Sequence, residues 1–253
     1  MNGGAALNNM IYVIGLGPGE DVQITPKAIA ALKSCDTIAG YTVYIDLIMP
    51  LIEDKKIIKT PMMQEVERCK QTALAAKGGN NVAIISSGDA GIYGMAALMY
   101  EVCEELGVNE EIEVVAGITA ANSAAAVLGA PLTHDFAVIS LSNLLTPWED
   151  IEKRLDLASR AGFVIAIYNP VSKKRADFLE KACEILMRNI STETMCGYVK
   201  NIGREGQTYK ILTLKELKNE NVDMFTTVII GNSSTKVIGN KLVTPRGYKV
   251  EGR

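Results

Sequence analysis

Short apolar runs alternate with longer amphipathic runs over the first half of the chain. Met10 to Ile14 and Asn81 to Ile85 are rich in β-branched residues, which is typical of buried strands. Thr25-Pro26 precedes a helical spacing of apolar residues and predicts a helix with a threonine N-cap. Further strands are predicted at residues 36–39, 56–58 and 112–115, and further helices at residues 63–76 and 93–106. This alternation indicates an α/β fold with a mostly parallel sheet and helices on both faces.

The second half of the chain repeats this alternation after Pro131. Strands are predicted at residues 136–141, 163–168, 195–199, 209–213 and 226–230. Thr146-Pro147-Trp148-Glu149 has the form of a capping box, and the cationic run Lys173-Lys174-Arg175 is predicted to open the following helix. We expect two α/β lobes with mostly parallel sheets, at residues 10–125 and 126–253, after a disordered leader at residues 1–9. No Ser/Pro-rich spacer separates the lobes, so no flexible linker is predicted.

Composition and charge exclude several classes of protein. A chain of 253 residues that is 48% hydrophobic can bury a large core. The formal net charge is −3, which gives no basic field for nucleic acid. No apolar run approaches the ~20 residues that span a bilayer, and residues 1–9 lack the features of a signal peptide. We therefore expect a cytoplasmic protein that binds neither nucleic acid nor membrane.

The cysteines give no sign of a metal site. The chain has five, and none belongs to a CxxC pair: Cys35, Cys69, Cys103, Cys183 and Cys196. Zinc and iron–sulfur sites are therefore disfavoured, and no metal ligand is predicted. Reduced thiols fit a cytoplasmic protein best.

The strongest candidate for a binding loop is Ser86-Ser87-Gly88-Asp89-Ala90-Gly91-Ile92-Tyr93-Gly94. A buried strand is predicted to end at the serines, and the glycines allow tight turns and close approach of backbone to a ligand. Open α/β sheets bind ligands at the carboxyl ends of their parallel strands, where this loop should lie. The same residues are also compatible with a tight turn in which Asp89 caps the following helix.

The loop after the first strand matches the dinucleotide-binding fingerprint only in part. In Gly15-Leu16-Gly17-Pro18-Gly19-Glu20, Glu20 occupies the place of the last glycine and Pro18 interrupts the pattern. The next helix is predicted to begin only at Pro26. The loop is therefore predicted to be extended, and a nicotinamide oxidoreductase is disfavoured.

Four separated motifs make the chain resemble the tetrapyrrole methylases, a family of S-adenosylmethionine (SAM) enzymes that act on corrin precursors. The motifs are GLGPGE at 15–20, SSGDAGIYG at 86–94, AGITAANSAAA at 116–126 and TTVIIGNSST at 226–235. The segments HDFAVISLSNLLTPW at 134–148 and IYNPVSKKR at 167–175 are most similar to the branch that methylates C(17) and contracts the macrocycle. The resemblance extends over residues 10–235.

The resemblance implies two α/β lobes with SAM in the cleft between them, a tetrapyrrole substrate with or without cobalt, and a homodimer. It implies SAM contacts at Pro18, Gly88, Asp89, Ile92, Thr119, Ala120, Asn169, Gly203 and Thr227. It implies substrate contacts at Thr146, Lys173, Arg175 and Arg204. Asn169 stands where relatives often carry methionine, and Asn143 stands where close relatives often carry aspartate.

The residue types agree with this chemistry. A sulfonium is cationic, so its pocket should offer carbonyl oxygens and a carboxylate but no Lys or Arg, as the loops at 88–93 and 117–121 do. Methyl transfer to an electron-rich carbon mainly requires that the two reactants be held in position. Cations for the substrate's carboxylates are available at Arg154, Arg160, Lys173, Lys174, Arg175, Lys200 and Arg204. The run at 173–175 is equally typical of a solvated helix turn.

Ring contraction also requires removal of a hydroxyl proton, which predicts a base or a hydrogen-bond relay. His134, the only histidine, is the candidate, with Asp135 beside it and Ser142 on the following turn. A lone histidine is also often structural. Two other functions stay open: a corrin-pathway methylase with a different target carbon, and a SAM-binding sensor without catalytic activity.

Overall fold

The computed structural model of the protein describes residues 9–19, 21–172 and 174–249. The chain divides into two compact units between Thr119 and Ala120. The predicted lobe boundary at residues 125/126 falls inside a helix of the second unit, Ala120–Leu128. Residues 1–8 of the predicted leader lie outside the described residues.

The first unit is a parallel sheet between two layers of helices. In chain order its elements are β1 (Met10–Gly15), α1 (Pro26–Ser34), β2 (Thr37–Tyr41), α2 (Thr42–Leu47), α3 (Met49–Ile52), β3 (Lys56–Thr60), α4 (Glu65–Lys77), β4 (Val82–Ser86), α5 (Ala96–Leu106) and β5 (Glu111–Val115). The strand order is β3-β2-β4-β1-β5, and every pairing is parallel. The parallel α/β prediction is therefore confirmed for this unit.

Alternate residues along the central strands pack against opposite helix layers. Ile11 and Val13 of β1 lie in a core with α4 and α5. Ile14 lies in a second core with α1, α2 and α3. Because successive side chains of a strand point to opposite faces, a strand buried on both sides must be apolar throughout, as the sequence of β1 is.

Two helix ends of the first unit follow the local signal that predicted them, and one helix start does not. The Thr25 hydroxyl accepts a hydrogen bond from the Ala28 amide at 3.2 Å, with Pro26 as the first helical residue, as predicted. Helix α5 ends at Leu106, the predicted last residue, and Gly107 after it has the left-handed conformation (φ 60°). The predicted start of α5 at Tyr93 is wrong, because Tyr93 has a φ of 54° and the helix begins at Ala96.

The second unit has a mixed sheet. Its elements are α6 (Ala120–Leu128), β6 (Gly129–Ala130), β7 (Phe136–Ser140), α7 (Trp148–Arg160), β8 (Val164–Tyr168), α8 (Phe178–Leu186), β9 (Met195–Lys200), β10 (Thr208–Thr213), α9 (Leu214–Leu217), β11 (Thr226–Ile230), β12 (Lys236–Ile238) and β13 (Lys241–Val243). The order of the larger sheet is β10-β9-β11-β8-β7. A small sheet of order β12-β13-β6 accompanies it.

The prediction of a mostly parallel sheet fails for the second unit, although the α/β class holds. Only β7 and β8 run parallel in the larger sheet, and its other pairings are antiparallel. For the β9–β10 pair the reason is their connection, a short loop at residues 201–207. A crossover to a parallel neighbour needs a dozen or more residues, so this loop produces an antiparallel pair.

Two predicted helix starts in the second unit are wrong. Thr146 does not cap α7: its N-cap is Pro147, and no side chain accepts a hydrogen bond there. Helix α8 begins at Phe178 rather than in the cationic run, because Ser172 and Arg175 pair their backbones in a turn before it. Among the residues that the structure describes, no helix combines the length and the apolarity needed to cross a bilayer.

Candidate functional site

Three loops leave the same edge of the first sheet. The register pairs Gly15 of β1 with Ser86 of β4, and Ile14 of β1 with Val115 of β5. Because these strands are parallel neighbours, the loops at residues 16–19, 87–95 and 116–119 emerge side by side at their carboxyl ends. Open α/β sheets bind ligands at this kind of edge.

The first two loops are joined by a pair of backbone hydrogen bonds. The Gly17 amide donates to the Gly88 carbonyl at 3.0 Å, and the Gly88 amide donates to the Gly17 carbonyl at 2.7 Å. Both glycines have a positive φ, 79° at Gly17 and 69° at Gly88. Glycine adopts this conformation without strain, which is why the pair forms at these positions.

Asp89 ties the second loop to the third. Its Oδ1 accepts hydrogen bonds from the amides of Gly91 at 2.8 Å and Ile92 at 3.1 Å, and its Oδ2 accepts one from the Gly117 amide at 3.0 Å. The alternative interpretation of Asp89 as a helix cap is wrong, because α5 begins only at Ala96. The carboxylate instead shapes its own loop and anchors the loop after β5.

Glycine is required where the three loops cross. A Cβ added at Gly117 would lie 2.2 Å from the Gly88 carbonyl oxygen and 2.6 Å from that of Gly15. A Cβ at Gly15 would lie 2.6 Å from the same Gly88 oxygen. These neighbours are backbone atoms, so they cannot rotate away as a flexible side chain would.

The loops present an uncharged surface apart from one acid. Ile92, Tyr93 and Ile118 are exposed, whereas Pro18 and Ala90 are buried. The described residues of the three loops include no Lys or Arg and only one carboxylate, Asp89. The amides that surround this carboxylate are neutral and no cation stands beside it in these loops, so the described loop residues suit a cationic ligand.

The second unit gathers most of its predicted site residues at one edge of the larger sheet. The register pairs Ser140 with Tyr168 and Lys200 with Thr226, so the carboxyl ends of β7, β8 and β9 lie beside the start of β11. The predicted residues on or directly beyond this edge are Ser142, Thr146, Asn169, Arg175, Gly203, Arg204 and Thr227. Lys173 lies outside the described residues.

A hydrogen-bonded turn orders the start of this edge. Asn169 is left-handed (φ 52°), and its Nδ2 donates to the Ser140 Oγ at 2.9 Å. The same oxygen accepts from the Ser142 amide at 3.2 Å. The Tyr168 hydroxyl accepts from the Ala121 amide, in the first turn of α6, at 2.7 Å. Sequence reasoning named Ser140 only as a neighbour of the candidate relay and missed Tyr168, whose position as the last residue of a predicted strand was the available signal.

Two cations at this edge, Arg175 and Lys200, have partners within the protein. The Arg175 Nη1 donates to the Leu141 carbonyl at 3.2 Å and its Nε donates to the Ser172 Oγ at 3.0 Å. Lys200 forms an ion pair with Asp223 at 2.6 Å. Arg175 was predicted to bind substrate, but in this structure its guanidinium joins two loops of the protein.

The predicted catalytic residues are not brought together. His134 and Asp135 precede β7, whereas Ser142 follows it, and five strand residues at about 3.3 Å each separate them. The His134 Nδ1 accepts from the Asp135 amide at 2.9 Å, and both side chains are exposed. They lie at the edge of the sheet opposite to the other predicted residues of this unit.

The motifs and their arrangement can be compared with known proteins. A family model described as Tetrapyrrole (Corrin/Porphyrin) Methylases matches residues 10–218, which is most of the chain. The chain belongs to the tetrapyrrole methylase family. The resemblance found in the sequence is thus confirmed.

Similar tetrapyrrole methylases match over nearly their full lengths. A probable cobalt-factor III C(17)-methyltransferase of Salmonella typhimurium is 46% identical over 94% of this chain and 99% of its own. A precorrin-3B C(17)-methyltransferase of a Sinorhizobium species is 36% identical over 96% of this chain and 98% of its own. The crystal structure of the methyltransferase CobJ superposes with a TM-score of 0.89 at 36% identity, covering 94% of this chain and all of that one.

The described residues of this tetrapyrrole methylase form no metal-binding cluster. Across residues 9–19, 21–172 and 174–249, no cluster of three or more His, Cys, Asp or Glu side chains could hold a metal ion. The five cysteines are buried and separate from one another as free thiols.

Proposed function

We propose that this tetrapyrrole methylase is a SAM-dependent C(17)-methyltransferase of cobalamin biosynthesis. Its substrate would be cobalt-factor III or precorrin-3B, which it would methylate and contract to the corresponding precorrin-4 product. Relatives with these two names match nearly the whole chain at 46% and 36% identity, respectively. The higher identity favours the cobalt-containing substrate.

The observation that carries the proposal is the loop assembly tied by Asp89. Bound SAM supplies an electrophilic methyl group on a sulfonium, and a cation of this kind suits the negative, Lys- and Arg-free loops of the first unit. We propose SAM contacts there at Pro18, Gly88, Asp89, Ile92 and Thr119. The proposed contacts in the second unit are Ala120, Asn169, Gly203 and Thr227. Placement of SAM between the lobes stays a prediction.

The edge of the second sheet suits the substrate's carboxylates. Arg204 lies there on a turn fixed by the Gly203 amide, which donates to the Gln207 Oε1 at 2.8 Å. Lys174 is exposed on the loop after β8. We propose that these cations and Thr146 bind the substrate, and that Ser142, held beside Ser140, takes part in proton transfer during contraction. A cytoplasmic homodimer stays part of the proposal.

Turnover with a defined substrate tests the proposed function. The protein is incubated with SAM and either cobalt-factor III or precorrin-3B, and mass spectrometry follows formation of the methylated, contracted product. The proposal expects S-adenosylhomocysteine and this product in equal amounts. Methylation at another carbon, or SAM binding without turnover on either substrate, would contradict it.

The Asp89→Asn variant tests whether the loop assembly that Asp89 holds together binds SAM. An asparagine amide facing the Gly117 amide would place two donors together, so the tie between the loops is lost. We expect the affinity for S-adenosylhomocysteine to fall about tenfold or more, since a hydrogen bond to a charged group contributes ~1.5–3 kcal/mol. Calorimetric titration measures this, with Asp54→Asn on an exposed ion pair as the control. Equal affinity of Asp89→Asn and wild type would contradict the proposal that this loop assembly binds SAM.

A further inference from the structure

The segment between β7 and α7, residues 142–147, is anchored at both ends but apolar at its tip. Leu141 before it is fully buried, and its amide donates to the Tyr168 carbonyl at 2.9 Å. Trp148 after it packs on Phe178 with ring centroids 4.4 Å apart. Between these anchors, Leu144 is 68% exposed and Leu145 is 99% exposed. Two adjacent leucines are thus exposed to solvent on a segment whose two ends are held by contacts with the protein.

Arg175 holds the first end of this segment in place. Its guanidinium donates to the Leu141 carbonyl and to the Ser172 Oγ, and it lies 5.9 Å from the centroid of the Phe178 ring. These contacts join the end of β7 to the loop after β8. Planar forks of this kind fix geometry, and the compact, non-planar ammonium group of a lysine does not reproduce it. The residue therefore orients the segment that follows Leu141.

The uncharged composition of residues 142–147 favours contact with an apolar surface of a ligand. Residues 142–147 are Ser, Asn, Leu, Leu, Thr and Pro, without a charge. Glu149 and Asp150 follow in the first turn of α7 and would repel carboxylates, whereas Lys174 is exposed on the neighbouring loop after β8. A macrocycle with carboxylates at its rim and an apolar face matches this separation, with the face on the leucines and the rim towards the cation.

We propose that Leu144 and Leu145 form a platform for the face of the tetrapyrrole ring, and that Arg175 is a positioning residue that fixes this platform. This inference rests on the proposed function for the existence of a tetrapyrrole substrate. It replaces direct carboxylate binding by Arg175 with an indirect role. It also assigns substrate recognition to two residues without hydrogen-bonding side chains.

The test uses binding of uroporphyrin III, a stable carboxylated tetrapyrrole, to the full chain. Trp148 is the single tryptophan and lies three positions after Leu145, so a bound porphyrin should quench its fluorescence. The double variant Leu144→Ser/Leu145→Ser is expected to raise the porphyrin Kd about tenfold or more, because it removes two apolar contacts. Affinity for S-adenosylhomocysteine should stay unchanged. Leu157→Ser, at a half-exposed leucine of α7, is the matched control and should bind porphyrin normally.

Arg175 is tested by Arg175→Lys and Arg175→Met, with near-ultraviolet circular dichroism as the check of folding. A positioning role expects both variants to weaken porphyrin binding to the same extent, with an unchanged dependence on salt and with KM rather than kcat altered in turnover. Rescue by lysine, or a shallower salt dependence in Arg175→Met alone, would mean a direct contact with carboxylate and would overturn that role.

The remaining outcomes also decide the inference. Wild-type affinity in the double serine variant overturns the platform. A double variant that changes the oligomeric state in sedimentation shows that the leucines cover a second copy of the chain, which overturns it as well. If the wild type binds S-adenosylhomocysteine but neither binds porphyrin nor turns over a tetrapyrrole, the proposed function fails and the platform falls with it.

Discussion

At the scale of single residues, contacts to the backbone define the loops of the first unit. Asp89 uses both carboxylate oxygens on main-chain amides, and Gly15, Gly88 and Gly117 allow three loops to cross at backbone distance. The motif SSGDAGIYG therefore determines the backbone conformation of its loop before it provides any ligand contact. A ligand contact at these positions depends on that shape being kept.

Gly117→Ala should disrupt the crossing. The added Cβ would lie 2.2 Å from the Gly88 carbonyl oxygen, and relief requires a shift of backbone. We expect a loss of stability of about 1–3 kcal/mol and loss of SAM binding, from denaturant unfolding and calorimetry. Gly78→Ala is the control, because Gly78 has a φ of −77° and its nearest neighbour would lie 3.3 Å away. Equal behaviour of the two variants would contradict the prediction.

His134→Ala should leave turnover within about twofold of the wild type. The imidazole is exposed and lies at the edge of the second sheet opposite to Ser142, Asn169 and Arg175. A general base must come within hydrogen-bond reach of the proton that it removes. Single-turnover kinetics on the tetrapyrrole would measure the methylation and contraction steps separately. A loss of contraction alone, by a factor of about 100 or more, would restore His134 as the base.

At the scale of elements, two helix starts with a capping-box sequence differ in whether the box forms. Thr146-Pro147-Trp148-Glu149 has the residues of a capping box but makes none, whereas Thr213 and Glu216 form one at the start of α9. The Thr213 amide donates to the Glu216 Oε2 at 2.8 Å, and the Glu216 amide donates to the Thr213 Oγ1 at 3.3 Å. The sequence pattern alone does not decide between these outcomes.

Thr213→Ala should lower the free energy of unfolding by about 0.5–2 kcal/mol, the usual cost of losing an N-cap. Hydrogen bonds from the Thr213 amide and, second, from the Thr213 hydroxyl lower the pKa of the Glu216 carboxyl from its ordinary 4.5, and the alanine variant loses only the second. A lowered carboxyl pKa stabilises the fold above that value, and this contribution is lost as the pH falls. The difference between variant and wild type, measured by urea unfolding, should therefore shrink below about pH 4.5. Ser233→Ala, at an exposed hydroxyl, serves as the control.

At the scale of the whole molecule, both units bury their thiols in apolar cores. Cys35 and Cys69 lie in the first unit and Cys183 and Cys196 in the second, and all are inaccessible to solvent. Burial raises the pKa of Cys35, Cys69 and Cys183 from 9.0 to about 12. Such thiols behave as small apolar side chains, without a reactive thiolate at neutral pH.

The protein should become less stable between pH 9 and 12. Below pH 9 these thiols are protonated in both states, whereas above it the unfolded chain ionises and the folded chain does not, so the unfolded state is favoured. Cys69→Ala should make the fall of unfolding free energy with pH shallower. Iodoacetamide at pH 8 should label no thiol of the folded protein and all five after denaturation. Rapid labelling of the folded protein would contradict the burial.

The sequence alone determined where strands end and which loops follow them. The α/β class, the caps at Thr25 and Gly107, and the glycine-rich loop at Gly88 all depend on residues close together in the chain, whose propensities and hydrogen bonds are local. The family followed from the same local motifs.

Only the tertiary structure decided what these elements meet. It made the second sheet antiparallel across β8, β11, β9 and β10, used Asp89 and Arg175 to join loops, and set His134 at the far end of β7. Each outcome depends on pairing between distant segments, and many pairings satisfy the same local pattern. Burial of the whole sheet selects among them, and no single stretch of the sequence contains that information.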